Sequence, residues 1–175
     1  VLERGRVQPW NDVRPDRVPL SMTREVKVRR VLDASADAVW SVLADFGNIA
    51  SWNGGVKASH STSDESGGVG ATRHCDLAPV GQLEETIVEW SPAERMVVRI
   101  DSAKRLPIKE ALVDFDLRPI GSDTPERTDV TITYRYDTKL GVLGAATGPV
   151  LDRQLSSGFE GFLDDLGDAA KLAAV

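Results

Sequence analysis

The chain has 175 residues and a formal net charge of −6, a length that fits one domain with a hydrophobic core of its own. An acidic chain lacks the clustered Lys and Arg that bind phosphates, so we expect no nucleic-acid partner. The single cysteine, Cys75, allows no internal disulfide, and no signal peptide or membrane-spanning apolar run is evident. We therefore expect a cytoplasmic protein without stable membrane insertion.

The first residues differ in composition from the rest. Residues 1–22 carry Pro9, Pro15 and Pro19 among several arginines and show neither a period of 2 nor one of 3.6. We predict an extended N-terminal arm over 1–22 and a single domain over 23–175. The arm is either an inert tail or a docking segment that packs on its own domain or on a second copy, as in a homodimer.

The domain is predicted to open with a strand followed by two short helices. Residues 25–32 alternate in polarity, as a half-buried strand does. Ser35 is a good N-cap, and apolar side chains then recur at spacings of three and four up to Phe46. Gly47 ends this helix, and residues 48–52 form one further turn.

Six more strands follow, separated by turn residues. The last two alternate most clearly: Val113 and Phe115 lie on one face, whereas Asp114 and Asp116 lie on the other. Such alternation is typical of an antiparallel sheet with one wet face. The predicted strands are 56–62, 70–78, 82–90, 95–101, 108–119 and 128–136.

The period then changes to that of one long helix, predicted over about 142–170. The Gly148-Pro149 pair should break or kink its first part, so that the helix proper begins after Pro149. Gly158 and Gly161 indicate either a close approach to a neighbouring surface or a flexible helix. The order of elements predicts an α+β fold, in which a seven-stranded antiparallel sheet coils around the helix.

Several motifs resemble the START-like, or helix-grip, superfamily. They are the segment 31–46, Trp52, Gly68-Val-Gly70 with Arg73, Glu85-x-Ile87-x-x-Trp90, and the aromatic C-terminal helix. Over about 24–170 the chain looks like the bacterial polyketide cyclase/dehydratase and lipid-transport group, and more distantly like plant abscisic acid receptors. The resemblance implies a curved seven-stranded sheet around a long C-terminal helix, with two short helices after strand one.

The resemblance also implies a cavity between the sheet and the long helix, entered near the loops 79–81 and 105–107. It places Arg73 on the cavity side, and Asn53 where the receptors carry a ligand-anchoring lysine. Since that charge is missing, a carboxylate ligand is disfavoured. The ligand-binding residues predicted on this basis are Trp40, Asn53, Arg73, Cys75, Leu77, Glu85, Ile87, Val113, Phe115, Tyr134, Tyr136, Leu155, Phe159 and Phe162.

Arg73 and Glu85 are the candidates for chemistry, because strand alternation brings them to one face of neighbouring strands. Three interpretations stay open: an ion pair at the cavity edge, an arginine that anchors a ligand, or a catalytic pair in which Glu85 is a base. Tyr134 and Tyr136 are either core residues or hydroxyl donors to a ligand.

No metal site or cofactor is expected. His74 and Cys75 are adjacent and point to opposite faces of a strand, and His60 has no suitable partner at metal-ligand spacing. The sequence therefore favours a non-catalytic binder of a small hydrophobic ligand, such as a lipid, an isoprenoid or an aromatic polyketide-like molecule. The alternatives are a cyclase or dehydratase acting on an aromatic intermediate, and a protein-interaction module.

Overall fold

The computed structural model describes residues 24–121, 126–139 and 144–174. The predicted arm, residues 1–22, lies outside the described residues, so the predicted division of the chain stays a prediction. Within the described part, no helix is both long and apolar enough to cross a membrane.

The core of the fold is one seven-stranded antiparallel sheet with the spatial order β1-β7-β6-β5-β4-β3-β2. Each strand pairs with its neighbour in sequence except β1, which pairs with β7. The strands are β1 (Arg24–Leu32), β2 (Val56–Ser61), β3 (Thr72–Leu77), β4 (Gln82–Ser91), β5 (Arg95–Lys104), β6 (Ile108–Ile120) and β7 (Arg127–Thr138).

Two different faces follow from the alternation of side chains. In β6, Val113, Phe115 and Leu117 are buried on the concave face, whereas Asp114 and Asp116 pair with arginines on the convex face. Irregularities in the β4–β5 register add local twist and bend the strands. The predicted antiparallel sheet with one wet face is confirmed.

Two short helices connect β1 to β2. Helix α1 (Ala36–Ala44) begins at Ser35, whose side-chain oxygen accepts a hydrogen bond from the backbone N–H of Ala38 at 3.2 Å; this is a regular N-cap. Val39, Trp40 and Leu43 are buried. A 3₁₀ helix (Phe46–Ser51) follows directly, in the place predicted for the second short helix.

The long C-terminal helix, α2 (Gly144–Ala173), runs through Pro149. The expectation that the helix proper begins only after Pro149 was therefore wrong. The reason lies in the position of the proline: the first four N–H groups of a helix have no partner inside it, and Pro149 follows shortly after them. The missing N–H thus removes a single hydrogen bond near a helix end.

The glycines of α2 rule out one of the two interpretations given for them. A Cβ atom on Gly158 or Gly161 would meet nothing within 4 Å, so neither glycine marks a close approach. Close approaches to β1 occur instead at Gly148, where a Cβ would clash with the guanidinium of Arg24, and at Gly167, where it would lie 3.1 Å from the side chain of Leu32. Both the first and the second half of α2 therefore pack closely against β1, at its two ends.

Contacts at both ends hold α2 in place. In its second half Leu163, Leu166 and Ala170 are buried, and Asp165 accepts a hydrogen bond from the backbone N–H of Gly54 at 2.9 Å. In its first half Asp152 pairs with Arg24 of β1. The middle of α2 lies between these attachments and passes over the concave face of the sheet.

Candidate functional site

A cavity of about 550 Å³ lies between the concave face of the sheet and the middle of α2. Its walls are mostly apolar side chains of the strands and the ends of their loops: Leu77, Leu83, Val98, Ile100, Ile108, Val113 and Phe115. Helix α2 supplies the roof, with Leu151, Gln154, Leu155, Gly158, Phe159 and Phe162. Ile49, Asn53, Gly55 and Val56 close one side.

Aromatic rings keep the helix away from the sheet. The ring of Phe159 lies 5.2 Å from that of Tyr134, and the ring of Phe162 lies 5.6 Å from that of Phe115 and 5.1 Å from that of Trp52. These distances are those of favourable aromatic contacts. These contacts hold α2 at a distance from the sheet, so that the cavity between them stays open.

Two loops border the cavity at the end of β3. Residues 78–80, between β3 and β4, are exposed, and together with Leu106 and Pro107, between β5 and β6, they line the cavity. The two loops touch, since a Cβ on Gly81 would lie 3.0 Å from the side chain of Leu106. These are the loops expected at the entrance.

The charged groups of the cavity form one buried ion pair. Arg73 and Glu85 are directly opposite each other in the β3–β4 register, and Arg73 Nε donates to Glu85 Oε2 at 2.6 Å. Their exposed fractions are only 8% and 5%. Arg73 Nη1 also donates to the carbonyl oxygen of Phe46 at 2.9 Å, and the guanidinium lies 4.0 Å from the centre of the Phe46 ring, a cation–π contact.

Cys75 lies next to this pair. Its Sγ donates to Glu85 Oε2 at 3.4 Å, and burial, followed by the negative charge of Glu85, raises the pKa of the thiol to about 12. A thiol rather than a thiolate is therefore present at neutral pH, and only the thiolate is a strong nucleophile. Cys75 thus contributes a weak hydrogen-bond donor to the cavity wall.

Tyr134 is another polar residue of the cavity lining. Its side chain is 6% exposed, and burial, with the charge of Glu85 adding to the effect, raises its pKa far above the usual value. None of the described residues forms a hydrogen bond with its hydroxyl. Tyr134 therefore presents an uncharged O–H group to the cavity.

The structure brings most of the predicted residues together around the cavity. They are Asn53, Arg73, Cys75, Leu77, Glu85, Val113, Phe115, Tyr134, Leu155, Phe159 and Phe162. That these residues bind a ligand stays a prediction. The positions of Asn53 and of its neighbour Gly54 are set by α2, since both lie within hydrogen-bond distance of Asp165.

Three predicted residues lie elsewhere. Trp40 packs edge-on against Trp90, with ring centres 4.8 Å apart, and Ile87 is fully buried in the core. The hydroxyl of Tyr136 donates to Asp152 at 2.6 Å and accepts from Arg24 at 3.3 Å. Tyr136 therefore anchors the first half of α2 and does not line the cavity.

Comparison with known proteins identifies the family. The family model described as polyketide cyclase / dehydrase and lipid transport matches residues 23–171. The chain belongs to this family. No curated protein matches the sequence.

Several solved structures share the helix-grip fold of this chain, although their sequence identity to it is low. A START superfamily protein from Mycobacterium smegmatis is 15% identical, with a TM-score of 0.71 over 86% of this chain and 99% of that one. A protein from Thermus thermophilus is 15% identical, with a TM-score of 0.72 over 87% and 100%. The Zhui aromatase/cyclase from a Streptomyces species is 18% identical, with a TM-score of 0.70 over 87% and 96%.

Several residues that line the cavity were not predicted from the sequence. Gln154 and Gly158 lie on the same helical stripe as Leu151 and Leu155, so the three- and four-residue spacing already contained them. Val98 and Ile100 alternate along β5 and face the cavity for the same reason as Val113. The apolar loop residues Val80 and Leu106 carried no periodic signal.

The two histidines lie on the convex face, away from the cavity. His74 Nδ1 is 2.6 Å from Glu84 Oε1, and its Nε2 is 3.5 Å from Asp76 Oδ1. The His60 ring lies 5.3 Å from that of His74. Among the described residues, no group of His, Cys, Asp and Glu is suited to hold a metal ion.

This arrangement predicts a pH-dependent contribution to stability. The hydrogen bond to Glu84, with Asp76 adding to it, raises the pKa of His74 above its ordinary 6.5. The protonated form is therefore favoured in the folded state, so the contribution is complete below about pH 6.5 and is lost as pH rises through the folded pKa. We expect His74→Gln to lower the free energy of unfolding at pH 6 more than at higher pH, as measured by urea denaturation.

Glu84→Gln removes the main cause of this shift. An NMR titration of this variant should show the His74 pKa moving down towards its ordinary value. An unchanged titration in Glu84→Gln would contradict the assignment.

Proposed function

We propose that the chain binds a small hydrophobic ligand, such as a lipid, an isoprenoid or an aromatic polyketide-like molecule, in the cavity between the sheet and α2. The observation that carries the proposal is the cavity itself. Its volume of about 550 Å³ falls within the range of about 300–1,000 Å³ that is usual for small-molecule sites. Its walls are mostly apolar, with a few polar groups, which is the usual composition of such sites.

Family membership supports this proposal, since the family's description includes lipid transport. The apolar walls account for affinity, because each Å² of apolar ligand surface removed from water contributes about 25 cal/mol. The buried pair of Arg73 and Glu85, with Tyr134 beside it, would orient the polar end of the ligand.

The test uses two glycines of α2 as a matched pair. Gly158 lines the cavity, Gly161 does not, and a Cβ at either position meets nothing within 4 Å. We expect Gly158→Phe to fill part of the cavity and to weaken the binding of Nile red, a neutral hydrophobic dye, by about tenfold or more, in line with a loss of about 1.4 kcal/mol. Fluorescence titration measures the dissociation constant.

Gly161→Phe is the control, because it makes the same substitution in the same helix outside the cavity. Both variants replace a helical glycine and should be at least as stable as the starting protein. Equal Nile red affinity in both variants would contradict the proposal, as would the absence of binding in the unmodified protein. Native mass spectrometry of protein from its own host would show whether a ligand co-purifies.

A second candidate function is that of a cyclase or dehydratase acting on an aromatic intermediate. The observation that favours it is the presence of a carboxylate, Glu85, and an uncharged hydroxyl, Tyr134, in one cavity, since such an enzyme needs a general acid or base within reach of the reacting atom. Glu85 Oε2 is, however, already bonded to Arg73 and Cys75. Turnover of an aromatic polyketide that survives the combined Arg73→Ala and Glu85→Ala changes would exclude these residues as catalysts.

A further inference from the structure

The part of the cavity lining that the structure describes carries no net charge. Of the described residues that line the cavity, only Arg73 and Glu85 are charged, and they are paired with each other at 2.6 Å. The other polar groups of the lining are uncharged: Asn53, Cys75, Tyr134 and Gln154. Among the described lining residues, no cation is therefore left for an anionic ligand.

A ligand carboxylate beside Arg73 would be strongly disfavoured. An ion that leaves water for an apolar site needs an opposite charge to compensate for the lost hydration. The guanidinium of Arg73 is already engaged by Glu85 and by the carbonyl of Phe46, and a ligand carboxylate beside it would be repelled by Glu85. Arg73 is thus paired with a carboxylate of the protein itself, that of Glu85.

A cation outside the cavity lining does not change this balance. The ammonium group of Lys57 donates to the carbonyl oxygen of Pro79 at 2.6 Å, in an exposed position beside the loop of residues 78–80. Arg73 lies five residues before Ala78, which is about 17 Å along an extended strand. An exposed ion pair contributes only about 0–1 kcal/mol, so Lys57 cannot stabilise an anion beside Arg73.

Tyr134, by contrast, offers an unused hydrogen bond. Its hydroxyl lacks a partner among the described residues, although the side chain is 6% exposed and lines the cavity. A ligand that covers this hydroxyl displaces the water around it, and a polar group left without a partner in an apolar site is costly. A carbonyl or hydroxyl oxygen of a ligand would supply the missing acceptor without bringing a charge.

We infer that the cavity selects an uncharged ligand with a hydrogen-bond-accepting oxygen, such as a ketone or an alcohol, over a carboxylate of the same size. Tyr134 donates to that oxygen, and Glu85 excludes the anion by occupying Arg73. This inference rests on the proposed function, because it names the class of ligand that the same cavity takes.

The test compares two ligands of equal shape, methyl naphthyl ketone and naphthoate, in which a methyl group replaces a charged oxygen. Their dissociation constants are measured at neutral pH by displacement of Nile red. We expect the ketone to bind at least about tenfold more tightly, because a buried charge without a partner is strongly disfavoured. Equal or tighter binding of naphthoate would overturn the inference.

Two substitutions test whether Tyr134 and Glu85 cause the preference for the ketone. Tyr134→Phe should weaken ketone binding by about 3- to 10-fold, the equivalent of one hydrogen bond, while naphthoate binding stays weak. Glu85→Gln removes the competing carboxylate and leaves Arg73 for the ligand, so naphthoate should bind more tightly and raise the melting temperature of this variant. Glu84→Gln makes the same change outside the cavity and should not alter the preference.

The outcomes separate this inference from the proposed function. If Nile red does not bind to the unmodified protein, both fail. If Nile red binds and is displaced equally by the two ligands, only the charge selection fails. Should Glu85→Gln not fold, the ratio of the two dissociation constants in the unmodified protein still decides.

Discussion

Replacing Arg73 with methionine is expected to lower the free energy of unfolding by about 3–5 kcal/mol, the usual cost of removing one partner of a buried ion pair. The substitution leaves the carboxylate of Glu85, which is 5% exposed, without a compensating charge. It also removes the N–H group that donates to the carbonyl oxygen of Phe46. Urea denaturation followed by circular dichroism measures the change.

The double variant Arg73→Met with Glu85→Leu separates the two causes of this loss. Replacing a buried ion pair by apolar side chains is often neutral or stabilising, so the double variant should regain most of the lost stability. Arg118→Met is the surface control, since Arg118 is largely exposed in its pair with Asp116, and it should cost less than about 1 kcal/mol. A double variant as unstable as Arg73→Met would show that the unpaired carboxylate of Glu85 is not the cause of the loss.

The sheet and the helices could be predicted from the sequence because their signals are local. Alternation along β6, from Val113 to Leu117, defines both the strand and its buried face. Ser35 and the apolar spacing after it define the start of α1. The order of these elements then leaves few arrangements, and the resemblance to the START-like superfamily supplied the cavity.

The extent of α2 and its close contacts were harder to predict. A proline in a helical pattern usually ends the helix, but its cost depends on how near the helix end it lies. A glycine in a helical pattern, similarly, can indicate either a close approach to a neighbouring surface or a flexible helix. Gly167 lies against Leu32, whereas Gly158 borders the cavity and Gly161 faces open space, and no local signal distinguishes the three.

The candidate site was predictable where alternation alone decides which face a side chain joins. Alternation predicts that Arg73, Cys75 and Glu85 face the cavity and that they lie close together on neighbouring strands. Alternation does not show where along a strand the cavity ends. Tyr136 faces the same side as Tyr134, but its hydroxyl is taken by Asp152 and Arg24, a long-range contact that only the folded chain reveals.

Replacing Leu166 with alanine is expected to lower the free energy of unfolding by about 2–5 kcal/mol, the range for removing a fully buried leucine side chain. Leu166 is 0% exposed and belongs to the second half of α2, which is packed against the rest of the core. Because this half fixes the helix on the sheet, the loss of the Leu166 side chain should also weaken Nile red binding in the cavity. Thermal and urea denaturation measure the stability change.

Two other leucines of α2 provide matched controls for this change. Leu172 is 80% exposed, so Leu172→Ala should change the free energy of unfolding by less than about 0.5 kcal/mol. Leu155 lines the cavity and has empty space on one side, so Leu155→Ala should cost about 1 kcal/mol, less than at a close-packed site. Equal losses for Leu155 and Leu166 would contradict the distinction between a half of α2 that packs on the core and a half that covers the cavity. A loss confined to Leu166 would mean that the roof contributes little to folding and is free to change with the ligand.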